Sequence, residues 1–331
     1  MLPLQLPFSI ASPGAVLRHS DKVMLTGSCF TEHIGERMAR SKMQVYSNPQ
    51  GIVFNPASIA SGLHACMSGK SYGEDDVFYH NEIWNSWDFH SRFSHTDKDT
   101  ALKGMNEALS EAGAFLPEAR WLIVTFGSAY QYVTTGQAGR EGYGVANCHK
   151  APGQWFEKKL LETDRMLSEW EKLIRALQAY NPSLQLLFTL SPVRHARDGL
   201  VENNRSKARL NELIHALVDR FAHCHYFPAY ELVIDVLRDY RFFEPDMVHP
   251  NSLAIQYVWE QFVEAYMPAT DRDLLQRIEA LTTAAQHRHR FPGTLAAKGF
   301  RESMLRKARS LKEEFAYLDL ADEILAFGGH I

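Results

Sequence analysis

Cysteine is scarce in this chain: Cys29, Cys66, Cys148 and Cys224 are the four among 331 residues, scattered, with no two at a C-x-x-C spacing. That excludes a disulfide framework and argues against a cysteine-rich zinc site. Reduced thiols in a cytoplasmic compartment are the simplest expectation. Strong charge is lacking too, since a net charge of -4 gives no electrostatic reason for a nucleic-acid partner or an anionic membrane. No apolar run approaches the roughly 20 residues that span a bilayer as a helix. The segment Met1 to Ile10 has no basic stretch, and Pro3 and Pro7 interrupt it, so it does not read as a signal peptide. Internal repeats and low-complexity stretches are absent as well. What remains is an ordinary soluble composition, 45% hydrophobic and 22% charged. Its length suits one large α/β domain with additions, or two small domains.

Apolar runs and turn residues alternate along the chain. Val23 to Thr26 reads as a buried strand that stops at a Gly27-Ser28 turn, followed by helical character from Thr31 to Arg40. Gln44 to Tyr46 reads as a second strand, closed by Ser47-Asn48-Pro49-Gln50-Gly51, and Pro56 opens a helix to about Met67. Trp121 to Phe126 is a third strand, ending at Gly127. Phe156, Leu160, Thr163, Leu167, Trp170, Ile174 and Leu177 step by three or four, which predicts one long amphipathic helix ended by Asn181-Pro182. Leu184 to Leu190 is the next strand, ending at Ser191-Pro192, and Leu210, Leu213, Ile214, Leu217, Val218 and Phe221 mark another helix. His225 to Phe227 starts a short strand, and Pro250 stands where a further helix begins. Such alternation predicts a parallel sheet with helices on both faces and ligands at the carboxyl ends of the strands.

Three segments stand apart. Residues 136 to 154 carry five glycines and read as a loop. Residues 71 to 95 are rich in aromatics and histidine and read as an inserted hairpin or loop over the sheet, either a substrate-binding loop or a small aromatic satellite core. Residues 267 to 331 read as a helical extension with a break at Phe291-Pro292-Gly293. Its basic residues, from His287 to Lys312, read as a solvated face rather than a docking surface. The extension is also the candidate surface for a homo-oligomer.

Chemistry should collect just past the strands. Ser28 follows the first strand on a sharp turn, where an exposed hydroxyl is expected and the next helix offers N–H groups to an oxyanion. Asp246-Met247-Val248-His249 supplies a fitting partner. An aspartate three residues before a histidine can bond Nδ1, fix the tautomer and stabilise the imidazolium while Nε2 takes the serine proton. Singly these are a turn serine, a capping aspartate and a surface histidine; together, in a doubly wound pattern, they read as a nucleophile with its charge partners. Cys29 would be the stronger nucleophile as a thiolate, but its side chain is expected to point away from Ser28 and pack. His90, His149 and His195 either line the pocket or are ordinary backbone-bonded histidines. No two of them stand at ligand spacing, so no metal is expected. Lys150 and Arg194 are candidates for holding an anionic group, and Arg197 reads as a surface charge.

Gly27-Ser28-Cys29-Phe30-Thr31 resembles the name-giving motif of the GSCFA family, with threonine where alanine is usual. Asn48-Pro49-Gln50-Gly51-Ile52, Trp87-Asp88-Phe89-His90-Ser91, Ala146-Asn147-Cys148-His149-Lys150, Ser191-Pro192-Val193-Arg194-His195 and Leu237-Arg238-Asp239-Tyr240-Arg241-Phe242 resemble the same family. The family is similar to SGNH (GDSL-like) hydrolases. The resemblance covers roughly residues 20 to 265 and implies a flavodoxin-like three-layer α/β fold for a domain of residues 1–266 with the insertion at 71–95; the helical extension over 267–331 lies outside it. The resemblance also implies carbohydrate or lipid ester chemistry without a cofactor. In that superfamily the oxyanion hole uses the nucleophile's own N–H, a glycine after the second strand and an asparagine after the third. Gly51 matches the glycine, whereas Ala129 stands where the asparagine would be. Ser128, Asn147 and His149 are candidates for the missing donor, and Asn48, His90 and His195 for further substrate contacts. The expected reaction removes a small acyl group, such as acetyl, from a sugar or similar polar ester through an acyl-enzyme on Ser28. His249 serves as base and then acid, Asp246 orients it, and the N–H groups of Ser28 and Gly51 bind the oxyanion. An O-acyltransferase on the same triad, and a non-catalytic binding module that Ala129 favours, are the alternatives.

Overall fold

Every residue of Trp121–Phe126 is buried, as in a strand covered on both faces, and the other elements are arranged about it. A computed structural model describes residues 7–11, 14–287 and 290–330. Residues 1–6 of the Met1 to Ile10 segment, and Arg288 and His289 of the basic cluster, lie outside the described residues.

In chain order the elements are β1 (Lys22–Gly27), α1 (Cys29–Arg40), β2 (Gln44–Ser47), α2 (Pro56–Ser68), β3 (Phe78–His80), β4 (Ile83–Asn85), α3 (Lys98–Phe115) and β5 (Trp121–Phe126). There follow β6 (Tyr130–Thr134), β7 (Gly144–Val145), β8 (Phe156–Leu160), α4 (Thr163–Tyr180), β9 (Gln185–Leu190), α5 (Leu200–Arg220) and β10 (Cys224–Tyr226). The last are α6 (Ala229–Glu231), α7 (Ser252–Tyr266), α8 (Ala269–Gln286), α9 (Leu295–Glu314) and α10 (Ala321–Ala326).

Five strands form one parallel sheet in the order β10-β9-β5-β1-β2. Counted along the chain this is 2-1-3-4-5, the flavodoxin-like order, whose switch point lies between β1 and β5. Side chains alternate across each strand. Met24, Leu122, Val124, Phe126 and Phe188 pack with residues of α2, α3, α4 and α5, while Val23, Leu25, Trp121, Ile123 and Leu187 pack with α1 and α7 on the other face. The result is three layers, with the carboxyl ends of β1, β5 and β9 opening on one edge.

Three local readings need correction. Phe156–Leu160 is strand β8, not the first turn of the helix, which starts at Thr163. A spacing of four keeps Phe156 and Leu160 on one side in a strand as in a helix, so the step does not discriminate. The glycine-rich stretch is not only loop, because β7 within it pairs with β6, which also pairs with β8, giving a second antiparallel sheet. Pro250 precedes the helix rather than opening it: Asn251 is the N-cap, its side chain accepting from the N–H groups of Leu253 and Ala254. Helix α3 answers to little in the sequence pattern, since its buried face is only Ala101, Met105, Leu109 and Ala112.

The insertion forms the hairpin β3–β4 with much of its aromatic content inside: Trp87, Phe89 and Tyr72 are buried, and Phe78 stacks on Trp87. Beyond Tyr266, helices α8–α10 gather a separate cluster of Leu274, Ile278, Leu281, Leu311 and Ile324. A largely buried Lys42–Glu323 pair at 2.9 Å ties them to the body beside α1. Among the described residues no helix is long and apolar enough to cross a membrane.

Candidate active site

The turn after β1 permits only glycine at its first position. Gly27 has φ +145°, and a Cβ there would lie 2.3 Å from the Thr125 carbonyl oxygen of the neighbouring strand. Its N–H donates to Asn48 Oδ1 at 2.9 Å, which locks the β1 turn to the β2 turn. Ser28 follows as N-cap of α1, a position where a serine hydroxyl normally accepts a helix N–H; here it makes no such bond. Contrary to expectation, Ser28 Oγ is not exposed. It is buried and has no hydrogen-bond partner, and Asn48 Nδ2, also buried, has none either. Unpartnered polar atoms of this kind are uncommon in a folded interior and call for an explanation.

Asp246 and His249 are brought together by a tight turn. Asp246 Oδ1 accepts the N–H groups of Val248 and His249 at 2.9 and 3.0 Å, and Oδ2 meets His249 Nδ1 at 2.6 Å. Those three bonds, the backbone N–H of His249 first, hold the carboxyl down to about 2. The turn requires φ +59° at Met247, a left-handed conformation rare for such a residue. Arg194 clamps it from β9's side: its backbone N–H donates to the Val248 carbonyl at 3.2 Å, its guanidinium donates to the Met247 carbonyl at 3.1 Å and sits 4.0 Å over the Phe243 ring. The anion-binding role considered for Arg194 therefore competes with a loop contact already made.

Ser28, Cys29, Ser128, His195, Asp246 and His249 line one cavity of about 690 Å³ at the carboxyl edge of the sheet. Aromatic faces come from Phe54, Tyr130 and Tyr132, not from the 71–95 insertion, because the β6–β8 sheet stands beside the opening. His195 packs against Phe54 at a tilt, with ring centroids 5.1 Å apart and 44° between the planes. Ser28 and His249 share the cavity without a hydrogen bond between them.

Other expected residues lie elsewhere. Gly51 does not line the cavity, and its N–H donates to the Asn48 carbonyl at 2.8 Å, so it is not presented to a substrate. The Ser28 N–H donates to the Thr125 carbonyl at a long 3.3 Å. His149 is buried against Trp87 and Phe78, with Nε2 2.7 Å from the Ser86 carbonyl oxygen, and burial pushes its pKa down to about 4. Asn147 Oδ1 accepts the His149 N–H at 2.8 Å, turning inward on its own loop. His90 packs over Gly51, whose added Cβ would lie 2.3 Å from the His90 Cβ. None of these three lines the Ser28 cavity. Lys150 is exposed and likewise outside it, whereas Arg197 is exposed on the cavity wall. Cys29, expected to pack away from Ser28, instead lines the same cavity. Burial pushes its thiol up, against the pull of the Phe30 and Cys29 amides and of Lys207. Among the described residues no group of three or more His, Cys, Asp or Glu side chains is placed to hold a metal ion.

Sequence reasoning missed the face that α5 turns to the strand ends. Asn203 Oδ1 accepts the His195 N–H at 2.9 Å, Ser206 Oγ accepts the Ala129 N–H at 2.7 Å, and Lys207 Nζ donates to the carbonyls of Gly127 and Ser191 at 2.7 and 2.6 Å. The signal was available. Asn203, Ser206 and Lys207 continue N-terminally the stripe of Leu210, Leu213, Ile214 and Leu217, and all seven are buried.

Residues 22–262 match the model of the GSCFA family. No curated protein matches the chain. Among solved structures, a carbohydrate esterase family 3 protein from Talaromyces cellulolyticus aligns at 12% identity and TM-score 0.36, over 78% of this chain and 99% of its own. A family 3 carbohydrate esterase from Clostridium thermocellum aligns at 8% and 0.34, over 78% and 98%. An acetyl xylan esterase from the rumen bacterium Butyrivibrio proteoclasticus aligns at 12% and 0.33, over 75% and 64%. Likenesses this remote say nothing of the chemistry of this chain.

Proposed function

The chain belongs to the GSCFA family, and from that premise we propose that it is a serine esterase that removes a small acyl group, such as acetyl, from a carbohydrate or similar polar ester. The observation that carries the reading is the Asp246–His249 bond in the cavity that Ser28 lines. A histidine held by a carboxylate at Nδ1 presents Nε2 as a base, and a serine hydroxyl with no other partner is free to turn toward it.

Ser28 Oγ attacks the ester carbonyl carbon while His249 Nε2 takes the hydroxyl proton, and Asp246 stabilises the imidazolium. With the Gly51 N–H committed, and Asn48 like Gly51 outside the cavity lining, the oxyanion falls to the weakly held Ser28 N–H. The imidazolium then protonates the leaving alcohol, and water, activated by the same ring, releases the acid from Ser28. The exposed ring of Tyr132 at the cavity suits stacking on a sugar face. Cys29 is the weaker candidate for nucleophile because its thiol is held protonated by burial.

The test is covalent labelling with a fluorophosphonate, read by intact mass and peptide mapping on wild type, Ser28→Ala and His249→Ala, followed by a panel of acetylated sugars. One adduct on Ser28, lost in Ser28→Ala and much slower in His249→Ala, is expected. An adduct on Cys29 or another serine, or none at all, would sink the reading.

A further inference from the structure

Lys207 is the only buried lysine among the described residues. It has no carboxylate partner there, and its ammonium donates to two backbone carbonyls alone. Those carbonyls are not arbitrary. Phe126 pairs with Leu190 at the end of the β5–β9 ladder, and Gly127 and Ser191 are the next residue on each strand. Lys207 therefore closes the open end of the sheet at the level where Ser128 and Ser191 enter the cavity wall. Cys29, the residue after Ser28, is close enough for its charge and that of Lys207 to act on each other.

A buried ammonium without a counter-ion costs several kcal/mol of desolvation, which two carbonyl dipoles only partly offset. If Lys207 merely bridged two turns, a neutral side chain would bridge them without that penalty. The missing anion is explained if it forms during the reaction. The two donors the superfamily would supply, the Gly51 N–H and an asparagine at position 129, are committed in one case and absent in the other.

We propose that Lys207 is a positioning residue for acyl transfer: it fixes the Gly127 and Ser191 turns and places, within electrostatic reach of the Cys29 that follows Ser28, the positive charge against which the oxyanion develops. This rests on the reading of Ser28 as nucleophile. The groups facing the ammonium are Cys29 from α1 and Tyr230 from α6, whose ring centroid is 6.0 Å away. Burial pushes both of those acids up, so both stay neutral near pH 7, while the neutral Asn203 and Ser206 flank it on α5. Burial pulls Lys207 itself down to about 7. Its charge, and with it the rate, should be lost as pH rises above neutrality. Stability should move the other way. Between about 7 and the unfolded value of 10.5 the unfolded chain holds the extra proton, so the folded state gains as pH rises.

The experiment measures the second-order rate of fluorophosphonate labelling at Ser28 from pH 6 to 9, with urea melts at each pH, for wild type, Lys207→Met and Lys207→Arg. Wild type should lose rate above neutrality while becoming more stable. Lys207→Met should be slower by ~100-fold at pH 6.5, the order expected for one lost electrostatic donor, and flat at higher pH. Lys207→Arg, which cannot deprotonate, should recover part of the rate without the alkaline fall. Should neither variant fold, the wild-type profile decides alone, and an alkaline rate that holds or rises overturns the proposal. Ser28 labelling unchanged in Lys207→Met overturns it while leaving the esterase reading intact. No labelling of wild type at any pH overturns both.

Discussion

Replacing Asp246 by asparagine separates a catalytic role of the Asp246–His249 contact from a purely structural one. The two carboxylate oxygens have different duties: Oδ1 accepts two backbone N–H groups and Oδ2 accepts the ring. Two fixed donors demand an acceptor, so the amide oxygen of asparagine takes the Oδ1 position and its NH2 is turned onto Nδ1. A donor there makes Nδ1 the acceptor and moves the ring proton to Nε2, the wrong tautomer for taking a proton from Ser28. In a buried triad this exchange lowers kcat by ~10,000-fold. Here the side chains of His249 and Asp246 are 45% and 49% exposed. Water therefore offsets part of the lost imidazolium stabilisation, and a loss of ~100- to 1,000-fold is expected. The turn itself should survive, because both backbone bonds to Oδ1 remain. The assay is the rate of fluorophosphonate labelling at Ser28 at neutral pH, beside a thermal melt. Asp246→Ala, which loses the turn bonds as well, should fall in both readouts. Asp246→Asn labelling within about 3-fold of wild type, with its melt unchanged, would refute the tautomer argument.

Gly27→Ala drives a Cβ to 2.3 Å from the Thr125 carbonyl oxygen at φ +145°, so a loss of about 3 kcal/mol or more is expected in urea unfolding; a loss below about 1 kcal/mol would mean the turn relaxes freely. His149 is neutral in the fold down to about 4 but takes a proton near 6.5 when unfolded. Between those values the unfolded state binds more protons, so up to about 3 kcal/mol of stability is lost as pH falls through that window. His149→Gln should flatten that slope, and equal slopes in the two proteins would show that the ring is not buried neutral. Cys29→Ala should label at Ser28 within about 3-fold of wild type, since a thiol held protonated is a poor nucleophile; abolished labelling would reassign the reaction to sulfur.

The central sheet was legible because its three inner strands are buried on both faces and so appear as unbroken apolar runs, Val23 to Thr26 and Trp121 to Phe126 above all. The β6–β8 sheet was not. β8 shows half-buried and exposed residues in alternation over five positions, too short a stretch for period two to be told from a helical step. Ser28 and the Asp246–His249 pair could be read because their geometry is local, a turn and a three-residue spacing. The places of His90 and His149 could not, since they depend on contacts with Gly51 and Ser86, far away in the chain; Gly51 and Asn147 have local partners, Asn48 and His149, but in turns that no residue pattern specifies. Aromatic content alone left a substrate-binding loop and a satellite core open; Trp87 and Phe89 of the insertion are buried in a local core, and the cavity takes its rings from Phe54, Tyr130 and Tyr132.

The stripe on α5 shows how such a site can be sought from sequence. An amphipathic helix is recognised by its apolar residues, and these end where Leu210 gives way to Lys207, Ser206 and Asn203. The burial did not stop there. The same face runs on past the sheet's carboxyl edge, where the strand ends leave N–H and carbonyl groups that a leucine cannot satisfy. Polar residues on a buried stripe are thus required wherever a helix crosses the end of a parallel sheet, and serine and asparagine meet that need at small cost. A lysine exceeds it, because two carbonyls ask for donors but not for a charge. The helix position that breaks the apolar period with an ionisable group, at the edge where the Ser28 turn sits, is therefore the one whose local cost has no local return, and in a consistent sequence such a cost points to function.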